Sequence, residues 1–333
     1  MTKQRLGWWL RIALTAIFGR KVFIEGRAEP LKILPWIHRG RVLLMGAERE
    51  LLQIRFTNQY ALAIQSAPSL TSATTGRCGG EKNVCHVILC HQTPELVESI
   101  ISWHRKLSSE YRVVLAYGGN RGDFERIMVE DKMFIEDPSL RGPTNRMSHL
   151  ELLQKTMALV EHPERTRFVF SEGDLLPLRP GYLDPAIKAM IDHDAGFLAK
   201  DIRNITSSNN VFLTNAIENH IVSHISHEHL NGSQLYLHCL GCFFGIDGIF
   251  LGAMIEECQR MKGLYFEVMF PTAAARAGAP ILSIDLISDY LAKVRYRPFQ
   301  SIDEVMRATA SDIHLVHPVR EGDLTKLLSQ LLP

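Results

Sequence analysis

Val84-Cys-His-Val-Ile-Leu-Cys90 is an almost unbroken apolar run, followed at once by His91-Gln92-Thr93 and then by Glu95–Leu107, where Leu96, Ile100, Trp103 and Leu107 recur at helical spacing. A run that does not alternate apolar with polar residues fits a strand covered on both faces. A strand leading straight into an amphipathic helix is half of a β-α-β unit. The pattern repeats downstream. Tyr111–Tyr117 reads as a second strand closed by Gly118-Gly119, and Lys132–Glu136 as a short third. Ser148-x-x-Glu151 has capping-box spacing and opens a helix through Val160. Arg167–Phe170 reads as a fourth strand and Gly181–Asp192 as another helix. Strands and helices alternating over short links predict an α/β fold, a doubly wound, mainly parallel sheet with flanking helices.

Upstream the character changes. Ser66–Lys82 is rich in Ser, Thr, Gly, Ala and Pro and reads as a linker, which divides the chain into an N-terminal extension, 1–83, and a body, 84–325. The whole chain of 333 residues carries a formal charge of +1. That balance hides a split: residues 1–83 hold 13 Lys/Arg and 5 Asp/Glu (+8), the remainder 24 and 31 (−7). With 46% hydrophobic and 22% charged residues, the composition excludes a disordered chain, a collagen-like fibre and a polytopic membrane protein. In the basic extension, Arg11 interrupts the apolar stretch after Trp8-Trp9 and leaves only Ile12–Gly19 uncharged, well short of the ~20 residues a spanning helix needs. Tryptophans beside Arg and Lys fit a helix resting on an anionic membrane surface, or one packed on the protein's own core. The expectation is a cytoplasmic protein, peripheral on the membrane through this segment, with no nucleic-acid partner. Cys239-Leu-Gly-Cys242 has metal-ligand spacing, but without a second such pair these read as small apolar strand residues in a reducing compartment. His220, His224, His227 and His229 read as the polar face of a helix.

In an open parallel sheet, ligands bind beyond the carboxyl ends of the strands. Those ends here are His91-Gln92-Thr93, Gly118-Gly119-Asn120, Glu136-Asp137 and Ser171-Glu172-Gly173-Asp174. The last carries the strongest chemistry. Carboxylates at i and i+2 on an extended segment point the same way, and the intervening Gly173 leaves backbone room. Such a pair can share one divalent cation, which in turn can bridge two phosphates. The plain alternative is a strand-end turn in which Asp174 caps the backbone.

Together Val87-Ile-Leu-Cys-His-Gln-Thr-Pro, Arg112-Val-Val-Leu-Ala-Tyr-Gly-Gly and Phe168-Val-Phe-Ser-Glu-Gly-Asp resemble the nucleotide-sugar half of GT-A-type glycosyltransferases. The resemblance covers residues 84–320 and implies that Glu172-Gly173-Asp174 stands for the family's DXD motif, with Glu in the first position, holding Mn2+ or Mg2+ against the donor diphosphate. It places His91, Gln92, Thr93, Asp137, Arg146 and Gly173 on the donor side, and Gly241, Gly245 and Asp247 of Leu237–Gly248 on the acceptor side. Glu267, opening a helix before Phe270-Pro-Thr, matches the general base of inverting members; its plain alternative is a charge on a helix N-terminus. His317, at the end of a short strand Ile313–Val316, matches a late histidine that returns to the metal. Arg295, Arg297 and Arg320 are candidates for offsetting phosphate charge. The implied activity is metal-dependent, hexosyl-type transfer from a UDP- or GDP-sugar to a hydroxyl of a carbohydrate or glycoconjugate, with inversion. Such chemistry serves glycan or polysaccharide synthesis.

GxxxxGK[ST], GxGxxG and G-x-S-x-G signatures do not occur, so P-loop, dinucleotide and hydrolase chemistry have no support. Two other readings use the same residues: a nucleotidyltransferase or other sugar-nucleotide enzyme, and a non-catalytic, membrane-associated binding protein.

Overall fold

The apolar run at residue 84 becomes β1 (Asn83–Cys90), and its neighbours set the frame. β1 lies parallel to β2 (Arg112–Tyr117) on one side and to β4 (Thr166–Glu172) on the other, and β2 lies parallel to β3 (Lys132–Phe134), with the short α2 (Arg121–Arg126) between them in the chain. Beyond β4 comes β7 (Tyr236–Asp247), antiparallel to β4 and to β6 (Phe197–Ile205). β6 in turn pairs in parallel with β8 (Ile281–Ser283). The seven-stranded order is β3-β2-β1-β4-β7-β6-β8, with β7 alone reversed. The computed structural model describes residues 83–136, 148–205, 236–261 and 264–331, all within one unit of the chain. The N-terminal Trp8-Trp9 segment, the linker, Asp137, Arg146 and the histidines at 220–229 lie outside the described residues.

Strand alternation splits the core in two. Ile88, Cys90, Val113, Leu115, Tyr117 and Val169 point to one face. There they meet α1 (Pro94–Leu107), α4 (Asp184–Asp192), α7 (Ile302–Thr309) and α8 (Glu321–Leu331). Cys85, Val87, Val114, Ala116, Phe168 and Phe170 point to the other face, against α3 (Ser148–Ala158), α5 (Gly248–Arg260) and α6 (Phe266–Arg276). The expected doubly wound, mainly parallel α/β sheet is the one the chain forms. Among the described residues no helix is long and apolar enough to cross a membrane. The described cysteines, Cys239 and Cys242 included, are free and buried.

Glu151, in the first turn of α3, reaches out of its helix: both its oxygens accept the Glu136 N–H at 3.1 Å, and Lys155 sits 2.7 Å from Oε1. The carboxylate thus ties α3 to the end of β3. One local expectation changes. Asp247, expected on the acceptor side, stands at the opposite edge of the sheet because β7 runs backwards. It faces Arg167, the second residue of β4, and its carboxylate caps α5 by accepting the Ile249 N–H at 3.2 Å.

The first core contains a buried polar chain. His86 Nε2 lies 2.8 Å from Ser171 Oγ, its Nδ1 lies 3.0 Å from Tyr182 Oη, and Tyr182 Oη lies 2.6 Å from His104 Nδ1. Burial lowers both histidines, His86 well below the ordinary 6.5 and His104 to about 3. Both are therefore neutral in the native state, whereas an unfolded chain protonates them below about pH 6.5. Stability should fall as pH drops from 6.5 toward 3, by up to about 1.4 kcal/mol per pH unit for each histidine, and the pair should add no slope above pH 6.5. Urea unfolding across that window tests this, with His104→Asn expected to remove roughly half of the histidine slope.

Candidate functional site

β4 passes its last pair of side chains to opposite faces. Ser171 goes to the His86 chain, and Glu172 goes to the α6 side, where it lines a small cavity with Gly241, Phe244 and Phe266. One residue on, the Gly173 N–H donates to the Leu89 carbonyl at 2.8 Å, holding the chain against β1 beyond the strand's end. A Cβ at Gly173 would lie 2.8 Å from Cys90 Sγ and 3.1 Å from Gln92 Oε1, so the close approach requires glycine. Asp174 is anchored from the far end of the chain: its carbonyl accepts the Val319 N–H at 3.1 Å. Between them β5 (Leu176–Pro177) pairs antiparallel with β9 (Leu315–Val316), which brings the next residue, His317, level with Leu175 and beside the carboxylates.

His317 Nε2 is 3.1 Å from Asp174 Oδ1 and 3.3 Å from Glu172 Oε2. Its Nδ1 is 2.8 Å from the Arg295 carbonyl, which can only accept, so the ring places a proton on Nδ1. A neutral ring would then aim the Nε2 lone pair at two negative charges. Something positive has to sit there, either a second proton or a metal ion. Burial alone lowers His317; Cys242, Asp174 and Glu172 around Nε2 outweigh it and raise the affinity for a proton. Burial keeps Cys242 a thiol, so the carboxylates supply the charge. Dense packing raises Glu172, His317 opposes this, and Asp174 adds to it. Because the Glu172 side chain is still 38% exposed, that upward push is tempered by solvent.

One ligand atom from each of Glu172, Asp174 and His317 lies within 4.8 Å of the others. The 3.1 and 3.3 Å separations are close to the ~3 Å edge expected between ligands with ~2.1 Å bonds in an octahedral site. Two carboxylates with one imidazole form a hard-to-borderline donor set that suits Mn2+ better than Mg2+. The residues present fit a divalent cation.

Next to Gly241 and Phe266 of that cavity's lining, Glu267 lies in the first turn of α6 and is 9% exposed. Both its oxygens are engaged. Oε1 accepts the Gly241 N–H at 3.0 Å, and Oε2 is 3.4 Å from His238 Nε2. Gly241 is obligatory here, since a Cβ would fall 2.2 Å from the Phe266 ring and 2.9 Å from Glu267 Cγ. The Glu267 charge contributes to raising both Glu172 and Tyr265, behind burial in each case, which puts it in electrostatic reach of the carboxylate cluster.

His91, Gln92 and Thr93 line a cleft of about 430 Å³ at the ends of β1 and β2, with Tyr117, Gly118, Gly119, Asn120, Asp123 and Glu321. Gln92 Oε1 accepts the His91 N–H at 2.9 Å, and Tyr117 Oη donates to the Gln92 carbonyl at 3.0 Å. The same Gln92 side chain borders Gly173, so the cleft adjoins the carboxylates. Of the expected acceptor residues, Gly241 reaches the site and the other two do not. Gly245 sits inside the sheet between Val169 and Leu198, where the Met190 sulfur would lie 2.7 Å from an added Cβ. Asp247 is at the far edge. Arg295 is bound to the Pro298 carbonyl and to Glu304, while Arg297 and Arg320 lie over the Phe299 ring at 5.0 and 5.4 Å.

His238 is the residue that sequence reading missed. A histidine inside an otherwise apolar strand has to find a buried partner, and that requirement was the available signal. Only the fold shows that the partner is Glu267.

No family model matches the chain, and no curated protein matches it. Among solved structures it is similar to galactosyltransferase LgtC in complex with donor and acceptor sugar analogues, at 9% identity over 74% of this chain and 96% of that one (TM-score 0.38). It is also similar to a mannosyltransferase from Pyrobaculum calidifontis in complex with GDP-Man and Mn2+, at 13% identity over 70% and 66% (TM-score 0.35). A third match is CMP:2-keto-3-deoxy-manno-octonic acid synthetase complexed with CTP, at 11% over 60% and 88% (TM-score 0.34). Superpositions this loose leave the chemistry to be argued from the residues.

Mn2+ titrated calorimetrically should bind the wild-type protein, and Asp174→Asn or His317→Ala should weaken binding by about tenfold or more. Gly173→Ala should weaken it as well by pushing the turn off β1. Gly245→Ala, which crowds Met190 away from the site, should lower thermal stability and leave Mn2+ affinity unchanged.

Proposed function

We propose that the protein is a metal-dependent glycosyltransferase that moves a sugar from a nucleoside-diphosphate donor to a hydroxyl of a carbohydrate or glycoconjugate. The observation that carries this reading is the convergence of Glu172, Asp174 and His317 from distant segments at the carboxyl edge of the sheet, with a cleft adjoining them and a buried Glu267–His238 pair in electrostatic reach. When bound, Mn2+ supplies positive charge that lets a nucleoside diphosphate leave.

The chain's own residues supply the rest. Glu172, Asp174 and His317 Nε2 would hold the ion, with His317 fixed in orientation by the Arg295 carbonyl. The cleft beside Gln92 is lined by Asp123 and Glu321, carboxylates that suit hydroxyl and amino groups and repel phosphate. The nucleoside would therefore lie there and the diphosphate would lie over Gly173, toward the ion site. His91, Gln92, Thr93 and Gly173 thus belong to the donor side. Asp137 and Arg146 keep the donor roles proposed from the resemblance. The acceptor hydroxyl would approach past Gly241, where the Glu267–His238 pair can take its proton. A proton acceptor on that side favours direct displacement and inversion at the anomeric carbon. It also favours glycosyl transfer over nucleotidyl transfer to a sugar phosphate, whose attacking oxygen is already ionised. Docking of residues 1–83 on an anionic membrane rests on their +8 charge and on Trp8 and Trp9 alone.

Purified protein incubated with UDP- and GDP-sugars and Mn2+ should release nucleoside diphosphate and not pyrophosphate. Asp174→Ala should cut kcat/KM by about 100-fold or more. Pyrophosphate release would assign nucleotidyl transfer; Mn2+ binding without turnover of any donor would assign a binding protein.

A further inference from the structure

His238 lies on β7 with its side chain 10% exposed. Its Nε2 faces Glu267 Oε2 at 3.4 Å, while its Nδ1 is buried and has no hydrogen-bond partner among the described residues. Glu267 is equally constrained. Its Oε1 is committed to the Gly241 N–H at 3.0 Å, so Oε2 is the oxygen left to face the imidazole. A carboxylate oxygen can only accept, which puts the His238 proton on Nε2 and the lone pair on Nδ1. A buried lone pair with no donor is costly and needs a reason, and an incoming hydroxyl is one. The arrangement is that of an acid–imidazole couple: the carboxylate fixes the tautomer and ring orientation, and the far nitrogen is left basic.

We infer that His238, through Nδ1, is the group that deprotonates the acceptor hydroxyl, and that Glu267 is the positioning residue behind it. This deepens the glycosyl-transfer reading and rests on it. As the acceptor oxygen bonds to the anomeric carbon, its proton passes to Nδ1. The bond from that carbon to the donor's diphosphate breaks, and its electron pair leaves with the nucleoside diphosphate. The imidazolium formed is stabilised by Glu267, which remains a carboxylate. Protonating Glu267 Oε2 would weaken its contact with the His238 N–H, whereas the His238 Nδ1 lone pair has no such contact to lose.

The two assignments separate on one substitution. In Glu267→Gln, the Gly241 N–H still needs an oxygen, so the carboxamide turns its NH2 toward His238 Nε2. Nε2 must then accept, and the imidazole proton moves to Nδ1. Nitrogen-15 NMR of the ligand-free protein should show His238 protonated on Nε2 in the wild type and on Nδ1 in Glu267→Gln. Transfer kinetics should show kcat lowered about 100-fold or more in both His238→Gln and Glu267→Gln, with no further loss in the double variant. Mn2+ affinity should be unchanged in His238→Gln and should weaken only by the loss of one nearby charge in the two variants that carry Glu267→Gln. If His238→Gln does not fold, His238→Asn takes its place, and the tautomer measurement needs neither. Nδ1–H in the wild type would overturn the inference, as would His238→Gln retaining near-normal kcat while Glu267→Gln loses it. If wild-type protein transfers no sugar from any donor, the glycosyl-transfer reading fails and the inference falls with it, whatever the tautomer; a wrong tautomer in an active enzyme removes only the role of His238.

Discussion

Negative charge collected at one end of the sheet is the constraint to which much of the body answers. Glu172 and Asp174 project from the end of β4, and Glu267 adds a third carboxylate nearby. Left alone, such a group would drive protonation or open the turn. His317 resolves the conflict from 145 residues away, and it does so through the backbone as much as through the ring. The β5–β9 ladder, the Val319–Asp174 hydrogen bond and the Arg295 carbonyl on Nδ1 fix the C-terminal segment over the turn. That segment packs on the first core through Leu315, Val316 and Val319, so apolar burial holds in place a charge arrangement that would be unfavourable by itself.

Much of this was legible in the chain. Parallel strands buried on both faces read as apolar runs, and the Glu-Gly-Asp turn at the end of such a run announces a ligand-facing edge. What stayed hidden has physical causes. The direction of β7 is set by its pairing with β4 and β6, and nothing in its composition distinguishes the two directions. Asp247 therefore read as a site residue although it caps a helix at the other edge. The His238–Glu267 pair depends on register shifts between β6 and β7 and on the close approach of α6 to Gly241, neither of which local periodicity encodes. The same limit concealed the His86–Tyr182–His104 chain, whose members lie on three separate elements.

The two cores also explain how a charged edge can be rigid. Strand alternation at the end of β4 sends Ser171 one way and Glu172 the other. Ser171 enters the polar chain that runs through His86 and Tyr182 to His104 on α1. A hydroxyl bonded inside a dry core has one favourable position, because breaking the bond would leave buried polar atoms unpaired. That fixes the strand backbone one residue before the first carboxylate, while the Gly173–Leu89 hydrogen bond fixes it one residue after. Glu172 is thus held along the chain between two buried anchors, one at Ser171 and one at Gly173. This lets its carboxylate stay partly exposed and available to a ligand. The polar chain in the first core is part of what holds the carboxylates of the second face in place.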